Sequence, residues 1–512
     1  MQNLVIGIDL STTTCKAIAW DRLGMPVAEA RAPLPLARPA AQVYEQDPHD
    51  WWRACGAALK ALAQRIDVHR VAAVAVVNQR ETVAVTDAHD HLLRPAILWL
   101  DERRKQVFSA CAQRIGLQRL HAVTGKPFDW APAIYSLAWM AEADPEAFRR
   151  IRHVYDPHAW LVRRFTGEFA TSWASADPFG AFDIHRHDWA AEVLGALPLP
   201  LDSACLPMAA PPGRVLGCVT AAAAEHTGLC TGTPVVAGGG DGQAGGLGVG
   251  VVGPGNAYLN LGTAIVSGVF AQAPVIDEAF RTLCAVDRHG YMLETSLRAG
   301  TLLINSLLAQ LFDLDTSRQP HCLARLEAEA ARVAPGSDGL LLMPYWSGVM
   351  NPWWDQDARG CLLGLSPDHG RAQVYRAVLE GIALEQALAT ERLVQATGQP
   401  VDRFIAIGGG AVSRLWCQII ADVSGRPVVR AHTREASSLG AAIAAAVGAG
   451  WYPDFPSAAQ AMTRSGDTFL PAPARQAFHA ELRAVYGDLY PRLRDLFPRL
   501  ARLRDSAPTS LT

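Results

Sequence analysis

The sequence predicts an α/β protein of two related lobes around a central cleft, and three observations carry this prediction. Residues 4–20 and 257–270 share one design, in which an apolar strand, a tight turn rich in Gly, Ser or Thr, and a second apolar strand follow each other. The two segments lie about 250 residues apart, which indicates a duplicated domain. Strand-like and helix-like runs alternate in both halves, as is typical of α/β layers. Backbone N–H groups and hydroxyls of such turns suit phosphate oxygens, so a polyphosphate is expected between the lobes.

The individual elements follow from periodicity and from the positions of Gly and Pro. In the first half we expect strands over 4–10, 17–20, 71–77 and 82–85, and helices over 51–65 and 133–141. In the second half we expect strands over 257–261, 265–270 and 404–407, and helices over 374–395, 416–423 and 436–449. Pro491 and Pro498 interrupt the apolar pattern of 474–503 and predict two or three short helices. The Gly253-Pro-Gly255 segment marks the predicted boundary between domains 1–253 and 254–512.

Composition narrows the class of protein. The 46 basic and 49 acidic side chains give a formal net charge of −3, which offers no electrostatic argument for nucleic acid or an anionic membrane. The uncharged run 242–276 contains Pro254 and many glycines, so we do not expect a transmembrane helix. Ten cysteines at irregular spacings and the lack of a signal-peptide pattern predict a reduced, cytoplasmic protein.

Two aspartates follow apolar strands and enter turns. Asp9 precedes the first turn, where a carboxylate can hold Mg²⁺ through water beside a triphosphate, or can cap its own turn. Asp241 follows three glycines and begins a helix of small residues. A lone carboxylate there can act as the general base for a hydroxyl, or can be an ordinary helix N-cap.

Two further segments are ambiguous when each is taken alone. Arg80 and Glu81 follow the strand over 71–77, and they either bind sugar hydroxyls, with Arg donating and Glu accepting, or form a surface ion pair. Residues 405–416 form a strand, a triple glycine and a helix start. Such a junction either admits a nucleoside against bare backbone or is a tight turn between strand and helix.

Together these segments resemble the FGGY family of carbohydrate kinases, and they follow the motif order of that family from about residue 4 to about residue 450. The matching segments are 7–14 for the first phosphate loop, 238–245 for the catalytic segment, 261–263 for the second phosphate loop, 344–348 with 357–360 for a family signature, and 408–413 with Trp416 for the adenosine segment.

This resemblance implies the fold and the chemistry. The family belongs to the actin, hexokinase and Hsp70 superfamily, which implies two ribonuclease-H-like domains with ATP between them. The implied reaction transfers the γ-phosphoryl group of ATP to a primary hydroxyl, with Asp241 accepting the proton and Asp9 positioning Mg²⁺. The implied contacts are Thr12, Thr13, Gly262 and Thr263 to phosphates, and Gly409, Gly410 and Ser413 to the nucleoside.

The acceptor motifs point in two directions. Segments 92–99 and 167–170 resemble xylulose kinases, which predicts a ketopentose such as xylulose. Residues 79–82 instead resemble glycerol kinases, in which an Arg-Glu pair binds the polyol, so we expect Gln79, Arg80, Glu81 and Asp241 to bind the acceptor. A glycerol-type or other polyol kinase is therefore the alternative. An actin- or Hsp70-like ATPase without sugar kinase activity is the alternative from a different class. A homodimer is expected from the resemblance alone.

Overall fold

The structure is a computed structural model that describes residues 2–314 and 320–506. Its strands and helices confirm the predicted α/β class. The strands are β1 Leu4–Leu10, β2 Thr14–Trp20, β3 Pro26–Pro33, β4 Glu45–Gln46, β5 Val71–Asn78, β6 Ala84–Thr86, β7 Ala96–Ile97, β8 His153–Tyr155, β9 Ala170–Ser172, β10 Phe182–Asp183, β11 Asp188–Trp189, β12 Met208–Ala210, β13 Val215–Cys218, β14 Pro234–Gly240, β15 Gly255–Leu261, β16 Ile265–Ala271, β17 Arg281–Cys284, β18 Tyr291–Leu297, β19 Leu341–Met343, β20 Cys361–Leu363, β21 Val401–Ile407, β22 Val428–Ala431 and β23 Ser465–Phe469.

Helices separate these strands in both halves of the chain. They are α1 Pro48–Ala63, α2 Lys105–Ile115, α3 Leu117–Thr124, α4 Ile134–Ala143, α5 Pro145–Arg149, α6 Pro157–Thr166, α7 Trp173–Ala176, α8 Ala191–Gly195, α9 Ala221–Thr227, α10 Asp241–Leu247, α11 Thr301–Phe312, α12 Pro320–Ala330, α13 Arg371–Thr397, α14 Arg414–Ser424, α15 Ala436–Gly448, α16 Phe455–Met462, α17 Gln476–Gly487, α18 Leu489–Leu493 and α19 Phe497–Asp505.

Two large sheets show the duplication directly. The first has the order β3-β2-β1-β5-β14-β13, and the second contains β18-β16-β15-β21-β22-β23, with β17 added beside β18. In both series the first three strands are antiparallel, the next two join in parallel, and the last is antiparallel again. The same strand pattern in both sheets is the physical evidence that the two lobes are related.

The paired hairpins are equivalent parts of these sheets. β1 and β2 are seven-residue strands separated by residues 11–13, and β15 and β16 are seven-residue strands separated by residues 262–264. In each hairpin the turn lies at the carboxyl end of a strand that also pairs in parallel, β1 with β5 and β15 with β21. Ligands of α/β proteins commonly bind at the carboxyl ends of parallel strands, so both turns are in a position to contact a ligand.

The element predictions were confirmed except at one strand and at several ends. The predicted strand over 82–85 is wrong in position, because β6 spans Ala84–Thr86 and Val83 forms only an isolated bridge with Ile97. β2 begins three residues before the predicted start. The C-terminal segment forms the short helices α17, α18 and α19, as the prolines predicted. Four of their side chains belong to the core of the second sheet, namely Tyr486, Leu489, Tyr490 and Phe497.

Helices α10 and α15 cross between the two sheets. α15 comes from the second half of the chain, yet Leu439 and Ile443 on it pack in one cluster with Val5 of β1 and Val236 of β14 in the first sheet. α10 comes from the first half, and a Cβ placed on its Gly246 would lie 2.9 Å from Tyr258 of β15 in the second sheet. Each lobe therefore contributes a helix that covers the other lobe.

The two crossing helices contact each other through bare backbone. A Cβ on Gly248, which follows α10, would lie 1.9 Å from the Ala436 carbonyl oxygen. A Cβ on Gly440 of α15 would lie 2.0 Å from the Ala244 carbonyl oxygen. Real Cβ atoms do not approach oxygen so closely, so only glycine permits this helix spacing.

We expect Gly248→Ala to destabilise the protein by roughly 3 kcal/mol, because the added methyl group forces the two helices apart. The matched control is Gly195→Ala in α8, where an added Cβ meets nothing within 4 Å. Equilibrium urea unfolding of both variants measures the difference. Equal stabilities of the two variants would contradict the close-contact argument.

A second stability prediction concerns Glu385, which is buried in α13. Its Oε2 accepts hydrogen bonds from the hydroxyls of Tyr345 at 2.7 Å and Tyr486 at 2.5 Å, and burial raises its pKa to about 7. The folded state therefore binds this proton more tightly than the unfolded state. The resulting stabilisation is present below the ordinary pKa of 4.5 and is lost as the pH rises towards 7.

We expect Glu385→Gln to raise the free energy of unfolding at pH 8 by roughly 1–3 kcal/mol, because the amide remains neutral. The gain should shrink as the pH approaches 5. Urea titrations across this pH range test it, with Glu142→Gln, an exposed position on α4, as the control. A gain that is independent of pH would show that Glu385 is not the titrating group.

Candidate functional site

The predicted phosphate turns lie at the carboxyl ends of β1 and β15, and their tips are exposed. Thr13 and Thr263 are exposed, and Thr12 is partly exposed. The Thr12 Oγ1 accepts a hydrogen bond of 2.9 Å from the Trp99 indole, so the Thr12 hydroxyl proton is available to another acceptor. In the second turn the Gly262 carbonyl accepts from the Thr301 N–H at 2.9 Å, which fixes the turn against the start of α11.

A β-bulge precedes Asp241. Residues 237 and 238 of β14 together face Val76 of β5, so the ladder between these strands shifts by one residue. The Gly238 peptide is held instead by two side chains: its N–H donates to His158 Nε2 at 3.2 Å, and its carbonyl accepts from Ser172 Oγ at 2.6 Å. A Cβ on Gly238 would lie 1.9 Å from the Val76 oxygen, so the bulge requires glycine. Bulges of this kind change the direction in which the following side chains point.

His158 is a neutral acceptor in this arrangement. Burial lowers its pKa to about 3, and its Nε2 accepts from Gly238, which assigns the ring proton to Nδ1. Nδ1 lies 3.5 Å from Thr171 Oγ1, which in turn donates to Asp156 Oδ2 at 2.7 Å. The bulge therefore rests on a buried chain of hydrogen bonds.

Asp241 is the first residue of α10, and its side chain is 41 % exposed. The N-cap of this helix is Gly240, so the simple N-cap interpretation of Asp241 is wrong. Its Oδ1 accepts from the Gly242 N–H at 2.8 Å and lies 3.3 Å from Arg80 Nε. Desolvation raises the pKa of Asp241, while Arg80 opposes this shift. A carboxylate that is more basic than usual and still accessible is suited to accept a proton from a hydroxyl.

Asp9 lies near Asp241 at the end of β1. It is almost fully buried, and the Ser11 hydroxyl donates to its Oδ1 at 2.8 Å. Burial and the negative charge of Asp241 raise the pKa of Asp9 to about 6, although Lys16 and Ser11 act in the opposite direction. A buried carboxylate whose proton affinity is raised further by a neighbouring negative charge forms a site that favours a cation.

Arg80 and Glu81 are not the surface ion pair that the local pattern allowed. Their side chains are 12 % and 10 % exposed, and each pairs with a residue of the second sheet. Arg80 Nη1 lies 2.9 Å from Glu294 Oε2, and Glu81 Oε1 lies 2.6 Å from Arg281 Nη1. The neighbouring Gln79 is buried, and its amide donates to Gln46 Oε1 at 3.0 Å.

The triple glycine lies beside the second turn. A Cβ on Gly408 would lie 2.4 Å from Asn260 Oδ1, and one on Gly410 would lie 2.9 Å from the Leu261 oxygen. Ser413 is the N-cap of α14, where its Oγ accepts from the Trp416 N–H at 3.0 Å and donates to Glu327. A cavity of about 290 Å³ adjoins this segment, with a lining that includes Gly408, Ala411, Val412, Arg430, His432 and Arg434, but not Gly409, Gly410 or Ser413.

The residues that support this site were not among those predicted from the sequence. Arg281 and Glu294 are charged side chains within the otherwise apolar or uncharged strands β17 and β18, and this pattern was an available signal. His158 and Ser172 gave no comparable signal, because their partner is a backbone peptide. Among the described residues, no cluster of three His, Cys, Asp or Glu side chains is arranged to bind a metal, and no helix is long and apolar enough to span a membrane.

Comparison with known proteins agrees with this geometry. Residues 4–248 match the N-terminal domain of the FGGY family of carbohydrate kinases, and residues 257–449 match its C-terminal domain. A xylulose kinase of Escherichia coli K12 is 33 % identical over 451 residues, covering 86 % of this chain and 89 % of the relative. Among solved structures, a xylulose kinase from Rhodospirillum rubrum is 30 % identical with a TM-score of 0.88, covering 96 % of this chain and 99 % of the other. A gluconate kinase from Lactobacillus acidophilus is 25 % identical with a TM-score of 0.90, covering 97 % and 99 %.

Fold and site together define a two-lobed enzyme that transfers a phosphoryl group from ATP. The chain belongs to the FGGY family of carbohydrate kinases. This membership rules out the alternative of an actin- or Hsp70-like ATPase without sugar kinase activity.

We expect Ser172→Ala to lower kcat roughly three- to thirtyfold while the KM for ATP changes little, because the bulge that aims Asp241 loses one of its two supports. The matched control is Ser136→Ala. Ser136 is equally buried, and its hydroxyl has no hydrogen-bond partner among the described residues. Steady-state kinetics and thermal melting of both variants separate positioning from stability. A normal kcat in Ser172→Ala would show that the bulge does not need this support.

Proposed function

We propose that this enzyme phosphorylates a primary hydroxyl of a ketopentose, with xylulose as the first candidate, and uses ATP as the donor. The observation that carries the chemistry is the accessible Asp241 carboxylate, whose pKa is raised and which lies beside Arg80. The choice of acceptor is supported by similarity to the xylulose kinases named above.

Asp241 is proposed as the general base. It accepts the proton of the acceptor hydroxyl while the oxygen of that hydroxyl forms a bond to the γ-phosphorus and the bond from the phosphorus to ADP breaks. Arg80 and Glu81 are proposed to bind acceptor hydroxyls. Gln79 is proposed to contribute to the acceptor site as well. Because it is buried and donates to Gln46, we propose that it lies under the acceptor and is not exposed in the site.

The nucleotide contacts are proposed from the exposed turns and from the glycine segment. Backbone N–H groups and hydroxyls at the two turns suit phosphate oxygens, and bare backbone near the second turn leaves room for a nucleoside. The proposed phosphate contacts are Thr12, Thr13, Gly262 and Thr263, and the proposed nucleoside contacts are Gly409, Gly410 and Ser413.

Mg²⁺ is proposed to accompany the nucleotide, and the residues present fit it. Mg²⁺ in kinases needs only one or two carboxylates because phosphates and waters fill its other positions. Asp9 supplies such a carboxylate, and its pKa is raised by burial and by the negative charge of Asp241, which a cation would offset. When bound, the ion would neutralise charge on the phosphates.

Three further proposals concern organisation. Domains 1–253 and 254–512 are supported by the positions of the two large sheets, whose strands lie within residues 4–240 and 255–469. A cytoplasmic location is supported by the ten cysteines, none of which forms a disulfide bond in the part of the chain that the structure describes. A homodimer is supported by family resemblance only.

A polyol such as glycerol is the second candidate acceptor. One observation favours it, namely the Arg80-Glu81 pair, which resembles the polyol-binding pair of glycerol kinases. An acceptor panel of D-xylulose, other ketopentoses, glycerol and tetritols in a coupled ADP-release assay decides between them. Turnover with glycerol and none with ketopentoses would reverse the order of the two candidates.

We expect Asp241→Asn to bind ATP normally and to lose phosphorylation by about a thousandfold or more, because the amide cannot accept the proton. Nucleotide titration and the ADP-release assay measure the two properties. Asp368→Asn, at an exposed position in the loop before α13, is the control and should retain full activity. Near-normal turnover in Asp241→Asn would refute the assignment of the base.

The raised pKa of Asp241 also predicts the pH dependence of the wild-type enzyme. Its kcat/KM should fall with decreasing pH at a value above the ordinary Asp pKa of 3.8.

A further inference from the structure

Four charged side chains form a continuous network between the two lobes beside Asp241. Arg80 and Glu81 come from the segment after β5, whereas Arg281 and Glu294 come from β17 and β18. Charges alternate along the network. Arg80 pairs with Glu294 at 2.9 Å, Glu294 with Arg281 at 2.5 Å, and Arg281 with Glu81 at 2.6 Å. Each lobe therefore contributes one cation and one anion.

Glu294 is the centre of this charge network. It is completely buried, and both of its carboxylate oxygens are in use, because Arg281 binds Oε1 while Arg80 and the Tyr258 hydroxyl bind Oε2. The two arginines hold its pKa at about 2, against the effect of burial. A buried carboxylate in this setting stays ionised, and its removal would leave two buried guanidinium groups without their partner.

The network determines where Arg80 lies. A Cβ on Gly240 would lie 2.6 Å from Arg80 Cδ, and one on Gly242 would lie 3.0 Å from Arg80 Nη2, so the side chain rests on the glycines that flank Asp241. With Nη1 held by Glu294, Nε lies 3.3 Å from the Asp241 carboxylate. Arg80 is thus held on one side by Glu294 of the second lobe and on the other by the segment that contains Asp241, the proposed base.

The network fixes Glu81 in the same way. Glu81 has a φ of +60°, a left-handed conformation that is unusual for a residue other than glycine. Its carboxylate binds Arg281, and its carbonyl accepts from Arg104 Nη2 at 3.3 Å. This strained backbone is held by groups outside the segment itself.

The charges of the network also restrict the acceptor. Arg80 and Arg281 are each paired with a carboxylate, and the neighbouring Arg104 is buried with its Nη atoms donating to three backbone carbonyls, so none of these guanidinium groups is free to pair with a carboxylate on a ligand. The carboxylate of an anionic acceptor such as an aldonate would therefore lose its hydration in a largely buried site without gaining a guanidinium partner. Hydroxyl groups can be accommodated, because they both donate and accept hydrogen bonds.

We propose that Arg281 and Glu294 are positioning residues that hold Arg80 and Glu81 in the acceptor site and restrict that site to uncharged polyhydroxy acceptors. This inference rests on the proposed function, since it takes Arg80 and Glu81 as acceptor contacts. It assigns to strands β17 and β18 of the second lobe a part in acceptor recognition that the sequence motifs did not indicate.

The main test compares Glu294→Gln with the wild type in the coupled assay, with D-xylulose as the uncharged acceptor and D-gluconate as the anionic acceptor. For the variant we expect the KM for D-xylulose to rise about tenfold or more, with the KM for ATP within about twofold, because only the acceptor contacts lose their support. The ratio of kcat/KM for D-gluconate to that for D-xylulose should rise about tenfold, since one negative charge is gone.

Two controls separate positioning from general destabilisation. Glu380→Gln breaks a similarly buried ion pair, that of Arg376 and Glu380 on α13, at 2.8 Å, and should lower the melting temperature without changing the KM for the acceptor. Tyr258→Phe removes the neutral hydroxyl from Glu294 and should change the KM for the acceptor less than about threefold. Arg281→Lys keeps the charge but cannot bridge both glutamates, and it provides a second and milder variant with the same expected direction.

The outcomes distinguish this inference from the proposed function. If the wild type uses D-gluconate as well as it uses D-xylulose, or if Glu294→Gln and Arg281→Lys leave the KM for the acceptor unchanged, the inference is overturned while the kinase assignment stands. If the wild type prefers a different neutral acceptor, the proposed function fails. The same variants are then compared on that acceptor, where a selective rise in its KM still supports the inference.

Discussion

The close contact between helices α10 and α15 is the constraint on which the arrangement of this enzyme depends. The two helices cross at a distance that only glycine allows at the contact points, with Gly248 against the Ala436 carbonyl and Gly440 against the Ala244 carbonyl. The first turn of α15 also holds the other lobe, because Ser437 Oγ donates to the Asp241 carbonyl and Ser438 Oγ donates to the Gly7 carbonyl. Asp241, the β1 strand that leads to Asp9, and the second lobe are thereby fixed relative to one another.

The acceptor side of the site is held by charge rather than by small residues. The network from Arg80 to Glu81 through Glu294 and Arg281 joins the lobes, and a second buried pair, Lys126 with Asp177 at 2.6 Å, lies nearby, where Lys126 also donates to the Thr282 carbonyl. Opening the lobes at this side would separate buried ions, which is costly. The two turns on the nucleotide side, by contrast, have exposed tips.

The sequence predicted the fold well because the duplicated hairpins and the alternation of strands and helices are local patterns. It brought Asp9, Arg80, Glu81 and Asp241 into one hypothesis through motif order, and the structure places Arg80 and Asp241 in direct contact. It did not reveal the partners of Arg80 and Glu81, because pairing between residues about 200 positions apart leaves no local pattern. It also misplaced the strand after Glu81, where a left-handed residue delays the start of β6 until Ala84.

The exchange of helices between the lobes has a consequence for the synthesis of the chain. The first sheet is complete in sequence once β14 ends at Gly240, yet α15, which covers one of its faces, begins only at Ala436. At about 5–20 residues per second, a ribosome needs roughly 10–40 s to make the intervening segment. During that interval Val5, Ile18 and Val236 lack the cover that α15 later provides. The N-terminal lobe therefore reaches its final packing only after most of the second lobe has been translated, so the two lobes mature together rather than one after the other.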